Sequence, residues 1–126
     1  MAAFGPFIPS PHTPYHNKQS GDVLLTLKTI AVARLVLKNV HIPSTTALAT
    51  LDKNGRKKGL MVGANVVMPD FTPIPYRENY LIYPEKAGLK DDPIVAKANL
   101  ENLLNSIGRN ISYKRGDSLK QKVIPS

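Results

Sequence analysis

Four prolines within the first fifteen residues constrain this 126-residue chain more than any other feature of its sequence. A proline fixes its own φ and has no backbone N–H, so regular hydrogen bonding stops wherever one stands. The whole chain contains 11 prolines, well above the average share of about 5%. We therefore predict that the chain opens with the end of a buried extended segment, which turns near Pro6 into a rigid, non-helical loop.

Composition excludes several classes of protein. An apolar content of 42% with 21% charged residues is typical of a folded soluble chain. The complete absence of cysteine removes disulfides, thiolate nucleophiles and cysteine-ligated iron–sulfur clusters. The longest apolar stretch is interrupted by Lys28 and Arg34, and the N-terminus lacks the features of a signal peptide, so we predict a cytoplasmic protein.

Hydrophobic periodicity predicts alternating strands and helices. Residues 23–38 repeat apolar positions at helical spacing behind Asp22, which can cap the helix. Shorter helices are predicted over 56–62 and 72–83, and a last one between the Asp91-Asp92-Pro93 cap and Gly108. The run 2–9 has the pattern of the end of a buried strand that turns into a loop, and the apolar runs 40–43 and 64–69 have the pattern of short buried strands.

This order predicts an α/β fold of about three parallel βα units plus a C-terminal helix. Three such units do not close into a barrel, and a complete (β/α)8 barrel takes roughly 250 residues. We therefore predict a partial (half) TIM barrel over residues 1–108. Residues 109–126 are rich in basic side chains and poor in large apolar ones, so we predict a mobile tail there.

Three predicted strands end in polar or conformationally special residues, at 5–9, 44–46 and 68–70. In a βα barrel, the carboxyl ends of the strands carry the chemistry. Turn formation and core packing explain each segment taken alone. Their coincidence at one edge favours a binding site.

Other chemical motifs are weak. His12, His16 and His41 have no metal-ligand spacing with carboxylates, so structural or solvent roles are favoured. No nucleophile elbow, phosphate-binding loop or dinucleotide fingerprint is present. The net charge is +8, and basic residues at 53–58 could meet phosphates, but no aromatic residues are interleaved with them. A solvated basic surface is the default explanation.

Four strings taken together resemble a known family. They are GPFIPSPHTP at 5–14, IPSTTA at 42–47, GANVVMP at 63–69 and YRENYLIYP at 76–84. The chain, from Ala2 to about Gly116, is similar to the C-terminal part of HydE-type enzymes. These are the radical S-adenosylmethionine maturases of [FeFe]-hydrogenase, related to biotin synthase and methylornithine synthase.

The resemblance implies which residues meet cofactor and substrate. It places the adenine of S-adenosylmethionine against Pro6, Phe7 and Ile8. It places a small-molecule substrate among five other side chains: Thr45, Thr46, Met68, Tyr80 and Tyr83. The family's three-cysteine motif, which holds a [4Fe-4S] cluster, would lie upstream of these residues.

The resemblance also implies what the chain lacks by itself. Both S-adenosylmethionine and the cluster belong to the full-length parent, and we expect neither a catalytic residue, nor a metal ligand, nor a cofactor in this chain alone. Its expected partners are the missing N-terminal half or a second copy, with no membrane. The alternative is a non-enzymatic basic module derived from a half-barrel, although nucleic acid is not the favoured partner.

Overall fold

A computed structural model describes residues 1–89 and 92–117. Within them the regular structure is helical, with one isolated parallel bridge between Pro43 and Val66. The elements in chain order are α1 (Val23–Leu37), α2 (Thr46–Leu51), α3 (Gly55–Met61), α4 (Ile74–Arg77), a 3-10 helix (Glu78–Tyr80) and α5 (Pro93–Asn105).

The predicted half TIM barrel of parallel βα units is wrong, because the described residues contain no β-strand beyond that bridge. The three apolar runs are extended and exchange some hydrogen bonds. Ala2 donates its N–H to the His41 carbonyl over 2.9 Å, and Val66 donates to the Ile42 carbonyl over 3.2 Å. These bonds do not continue into a ladder.

Two residues in the second and third runs explain why the ladder stops. Pro43 has no N–H to donate. The N–H of Ile42 is taken by a side chain, the Oδ1 of Asn65, over 2.8 Å. Backbone groups that a sheet would pair are therefore satisfied locally, and the sequence signal for buried strands yields extended segments instead.

The helix predicted over 23–38 is confirmed as α1. Asp22 caps it by accepting the Leu25 N–H at 2.7 Å. Its inward side carries Thr26 and Ile30 into a small core. That core consists of seven buried apolar residues: Ile30, Val40, Ile42, Leu48, Leu60, Ala64 and Leu104.

The remaining helices divide into confirmed and mistaken predictions. Helices α3 and α5 form close to their predicted positions, and the side chain of Asp92 caps α5. Asp91 of the predicted cap lies outside the described residues. Helix α2 was not predicted, since the threonines before it were assigned to the end of a strand.

The helix predicted over 72–83 is reduced to α4 and one 3-10 turn. Pro73 and Pro75 stand at the start of α4, where a backbone N–H has no helical partner, so they are compatible with the start of a helix and do not explain its early end. The carbonyl of Thr72 accepts from the side chain of Arg77. Tyr76, Tyr80 and Tyr83 consequently do not share one helical face.

The proline-rich opening is non-helical, as predicted, and forms consecutive turns. Thr13 donates its N–H to the Ser10 carbonyl, His16 to the Thr13 carbonyl, and Lys18 to the Tyr15 carbonyl, over 3.0–3.2 Å. The side chains of residues 11–20 are exposed. This loop keeps its turns with little burial.

Residues 109–117 run along the body without regular structure. Arg109 donates to the Ala64 carbonyl at 3.0 Å, and a ring nitrogen of His41 lies 2.8 Å from the Asp117 carbonyl. The division at residue 108 and the mobile tail stay predictions, and residues 118–126 lie outside the described ranges. In the described part of the chain, every helix is too short or too polar to cross a bilayer.

Candidate functional site

A small cavity of about 110 Å³ lies among the first turns of α2 and α3, the 68–70 segment, residues 87–88 and α5. Hydroxyl, carboxylate, amide and guanidinium groups meet thioether and aliphatic groups in its walls. The side chains that supply them are Thr46, Arg56, Met68, Asp70, Asn99, Leu100 and Leu103. The backbone of Ala87 and Gly88 completes the enclosure. Such a mixture suits a small polar molecule with an apolar part.

The threonine pair lies at the beginning of α2. Thr45 caps the helix, with its Oγ1 accepting the Leu48 N–H at 3.3 Å. Thr46 is the first helical residue and lines the cavity. A Cβ added at Gly5 would lie only 2.9 Å from the Oγ1 of Thr45, so the glycine permits the close approach of these two segments. The predicted cofactor loop thus begins directly beside a predicted substrate residue.

The predicted cofactor residues form a separate surface. Pro6 is buried, Ile8 is half-buried, and the ring of Phe7 is 45% exposed. The Phe7 ring meets the Tyr15 ring edge-on, with 6.3 Å between centroids. The Phe7 carbonyl accepts the N–H of Gly21 at 2.8 Å, which ties the loop to the start of α1. None of the three predicted residues lines the cavity.

Among the other predicted substrate residues, only Met68 lines the cavity. Tyr80 is 63% exposed and Tyr83 is half-buried, and both lie outside the cavity walls. The structure therefore brings Thr46 and Met68 together and leaves the two tyrosines apart from them. The site-residue assignments remain predictions.

Asp70 and Lys86 form an ion pair at the cavity, with 2.9 Å between Nζ and Oδ2. Each side chain is only about a fifth exposed. The hydrogen bond from Lys86, followed by hydrogen bonds from Thr72, lowers the pKa of Asp70 well below the usual range of an aspartate. The cavity wall therefore carries a carboxylate that stays ionised at neutral pH.

The most buried charged residue is Arg77, which is 1% exposed. Its guanidinium donates to the carbonyls of Asp70, Thr72, Gly88 and Leu89 over 2.6–3.2 Å. Two of these carbonyls belong to residues that line the cavity. Arg77 thus joins both ends of the segment 70–89.

Asp70 belongs to the predicted site segment 68–70 but was given no individual role, and Lys86 and Arg77 were not predicted as site residues. Asp70 had a local signal, because an aspartate two residues before Thr72 can accept that residue's N–H, as it does here at 2.9 Å. Lys86 had no local signal in the sequence, because its partner Asp70 lies 16 residues away. Arg77 belongs to the string 76–84, one of the four that resemble the family, but no role was assigned to it.

The basic and histidine residues of the described ranges are the other candidates for a site. Lys58 is paired with Asp52 at 2.6 Å, and the hydrogen bond from Lys58 lowers the pKa of Asp52. One ring nitrogen of His16 lies 3.0 Å from the Thr13 carbonyl. Within residues 1–89 and 92–117, no three acidic, histidine or cysteine side chains are grouped as metal ligands would be.

Comparison with known proteins shows which class of enzyme this chain resembles. No family model matches the chain. The predicted resemblance to the C-terminal part of a HydE-like radical S-adenosylmethionine enzyme is confirmed by a curated relative. That relative is the [FeFe] hydrogenase maturase subunit HydE of Thermotoga maritima, 50% identical over 86 residues, which are 68% of this chain and 25% of the relative. The chain thus covers about a quarter of the relative's length.

Proposed function

We propose that this chain is a fragment of a radical S-adenosylmethionine enzyme of the [FeFe]-hydrogenase maturase and biotin synthase-like group. The observation that carries the proposal is the 50% identity over 86 residues to HydE. In this role the chain contributes part of the cofactor and substrate surfaces of a longer cytoplasmic protein. The close approach of Gly5 to Thr45 supports it, because the residue that precedes the assigned cofactor residues lies against an assigned substrate residue.

The cofactor surface consists of Pro6, Phe7 and Ile8. The exposed part of the Phe7 ring offers an aromatic face, and Ile8 adds apolar area beside it. An adenine ring binds such a surface by stacking and by burial of apolar area. The hydrogen bond between Gly21 and Phe7 holds the loop in place, so little ordering would accompany binding.

The substrate surface consists of Thr45, Thr46, Met68, Tyr80 and Tyr83. Thr46 and Met68 both line the cavity, so a hydroxyl-bearing residue and an apolar thioether residue are available to a small polar ligand there. The ionised carboxylate of Asp70 adds an acceptor for a cationic or N–H group of the substrate. The tyrosines enter this set through the family resemblance.

A [4Fe-4S] cluster does not fit the residues of this chain. Such clusters are held by cysteine thiolates, and the chain contains no cysteine. The cluster ligands of the longer protein would therefore lie in another part of it. For this chain alone we expect neither cluster binding nor cleavage of S-adenosylmethionine.

The outer side of α1 supports a protein partner. Leu25, Val32 and Val36 are 58–71% exposed and, with Phe4, line a shallow apolar groove. A helix that is apolar on both sides is typical of a helix buried on both sides. We propose that another part of the longer protein covers this groove, with self-association as the alternative.

Reconstitution tests the proposal. The purified chain, incubated anaerobically with iron and sulfide, should develop no cluster absorbance and should not cleave S-adenosylmethionine. Adding the N-terminal part of a HydE-type maturase should restore both. A cluster bound by this chain alone, or a mixture that remains inactive although the two parts associate, would contradict the proposal.

A substitution pair locates the substrate surface in the restored mixture. Thr46→Val removes the cavity hydroxyl, and we expect substrate turnover to fall more than cofactor cleavage. Thr13→Val is the matched control, since its exposed hydroxyl donates to the Ser10 carbonyl at 2.9 Å and lies outside both the cavity and the α1 groove. Equal effects of the two variants would argue against Thr46 as a substrate residue.

The basic-module alternative predicts a different measurement. The charge of +8 would give affinity for nucleic acid that falls steeply with salt. A salt titration with single-stranded and duplex oligonucleotides tests this. Weak binding that does not change with salt would exclude the alternative.

A further inference from the structure

We propose that Arg77 is the positioning residue of the cavity. From behind the wall it holds Asp70 and Gly88 together, and so sets the width of the space that Thr46 and Met68 face. The inference rests on the proposed function for its biological meaning, because that function makes the cavity a substrate site. Arg77 itself lines no part of the cavity.

The geometry of the guanidinium carries the argument. Nη2 donates to the Asp70 carbonyl at 3.2 Å, and Nη1 donates to the Gly88 carbonyl at 3.0 Å. These two residues are 18 positions apart in sequence and form parts of the same cavity wall. Since Arg77 is 1% exposed, water cannot readily replace these bonds.

Two further contacts tie the same ends of the segment. The ion pair between Asp70 and Lys86 joins these ends through their side chains, with 2.9 Å between Nζ and Oδ2. The N–H of Ala87 is donated to the Oγ1 of Thr50 at 3.0 Å, and that hydroxyl donates to the Thr46 carbonyl at 3.0 Å. The position of the 86–88 segment is thereby linked to the backbone of a predicted substrate residue.

An arginine is required by this arrangement. Its planar fork of N–H donors reaches several carbonyls at once, in directions that are fixed relative to one another. The ammonium group of a lysine is a compact donor on a flexible stem and cannot span the same carbonyls. Arg77→Lys therefore keeps the charge and loses the positioning.

Methionine methyl resonances measure this positioning without any ligand. Met68 lines the cavity, while Met61 ends α3 outside it. In the full chain labelled at the methionine methyl carbons, Arg77→Lys should shift the Met68 signal and leave the Met61 signal unchanged. Tryptic cleavage after Lys86 should become roughly tenfold faster, because the end of the segment is released.

Arg34→Lys is the matched control. Arg34 also donates to several oxygens, including the Gly63 and Val40 carbonyls at 2.8 Å, but it does not line the cavity. This variant should leave the Met68 signal and the cleavage after Lys86 unchanged. A Met68 signal that moves equally in both variants, or that stays in place in Arg77→Lys, would overturn the proposal.

A measurement on the unaltered chain covers the case in which the variant fails to fold. The Nε–H of Arg77 donates to the Thr72 carbonyl at 2.6 Å in a buried environment, so its hydrogen exchange should be slower than that of exposed Arg115. Equally fast exchange of the two groups would overturn the proposal. None of these measurements depends on S-adenosylmethionine. The reconstitution test can therefore contradict the proposed function while the role of Arg77 is supported, and the role of Arg77 can fail while the reconstitution succeeds.

Discussion

Arg34 and Arg77 solve the same problem in two regions of the molecule. Within the described ranges, each donates to four oxygen atoms of neighbouring segments, and most of these atoms are backbone carbonyls. Arg34 joins the end of α1 to the turn at 63–65, and its side chain is half-buried. Arg77 joins the ends of the 70–89 segment and is 1% exposed.

The difference between them is the access of water to the acceptors. When a buried donor is removed, its carbonyl partners remain without a hydrogen bond, and each such group costs about 1–3 kcal/mol. Near Arg34, water can reach some of the acceptors, so a substitution there leaves fewer groups unsatisfied. We therefore expect the same substitution to lower the free energy of unfolding by different amounts in the two regions.

The largest effect is expected for Arg77→Met. This change removes the donors of four carbonyls in a buried environment, and we expect a loss of about 3 kcal/mol or more in the free energy of unfolding. Urea denaturation followed by circular dichroism measures it. A loss below about 1 kcal/mol would show that the carbonyls find other donors.

Arg34→Met should lower the free energy of unfolding by less, about 1–2 kcal/mol, because Arg34 and the acceptors around it are partly exposed. The same urea denaturation provides the comparison under identical conditions. The carbonyl of Gly63 accepts a hydrogen bond from Arg34, and Gly63 has a φ of +135°. We expect this backbone conformation to be kept in the variant. A loss as large as that of Arg77→Met would show that burial does not control the difference.

Asp70→Asn tests the ion pair with Lys86 that assists Arg77. We expect it to lower the free energy of unfolding by about 1 kcal/mol at neutral pH. A carboxyl with a lowered pKa stabilises the fold above its unfolded value, about 3.9, and this contribution is lost as the pH falls through the lower folded value. The difference between wild type and variant should therefore be constant from about pH 7 to 5 and shrink below about pH 4. A difference that grows on acidification would contradict the assignment.

Arg115→Ala should have the smallest effect, within about 0.5 kcal/mol. Its side chain is 87% exposed and pairs with Asp117 at 3.2 Å. Thermal melts of the variant and wild type at matched concentration measure the difference. A destabilisation comparable to that of Arg34→Met would indicate that the 109–117 segment contributes more to the fold than its exposure suggests.

Local signals in the sequence predicted the helices well and the tertiary contacts poorly. Asp22 and Asp92 marked the beginnings of α1 and α5, since a cap is a short-range interaction. The predicted sheet failed because Pro43 has no N–H to donate and the side chain of Asn65 accepts a backbone N–H that a strand would have paired. Hydrophobic runs alone carry no information about such a competitor.

The candidate site was predicted in the same uneven way. Thr46 and Met68 were identified by family resemblance and line one cavity. The ties made by Arg77 and Lys86 were missed, because their partners lie 5 to 16 residues away and follow no regular spacing. Positions in irregular segments follow from side chain–backbone hydrogen bonds, which have no periodic signature in sequence.

The exposed turns of the proline-rich loop have a consequence for conformational entropy. A proline already has a restricted φ in the unfolded chain, so ordering it costs less than ordering another residue. Pro11 and Pro14 lie within the turns at 10–18. The free energy that these turns need from burial is therefore small, and a loop with exposed side chains can still hold the Phe7 segment beside α1.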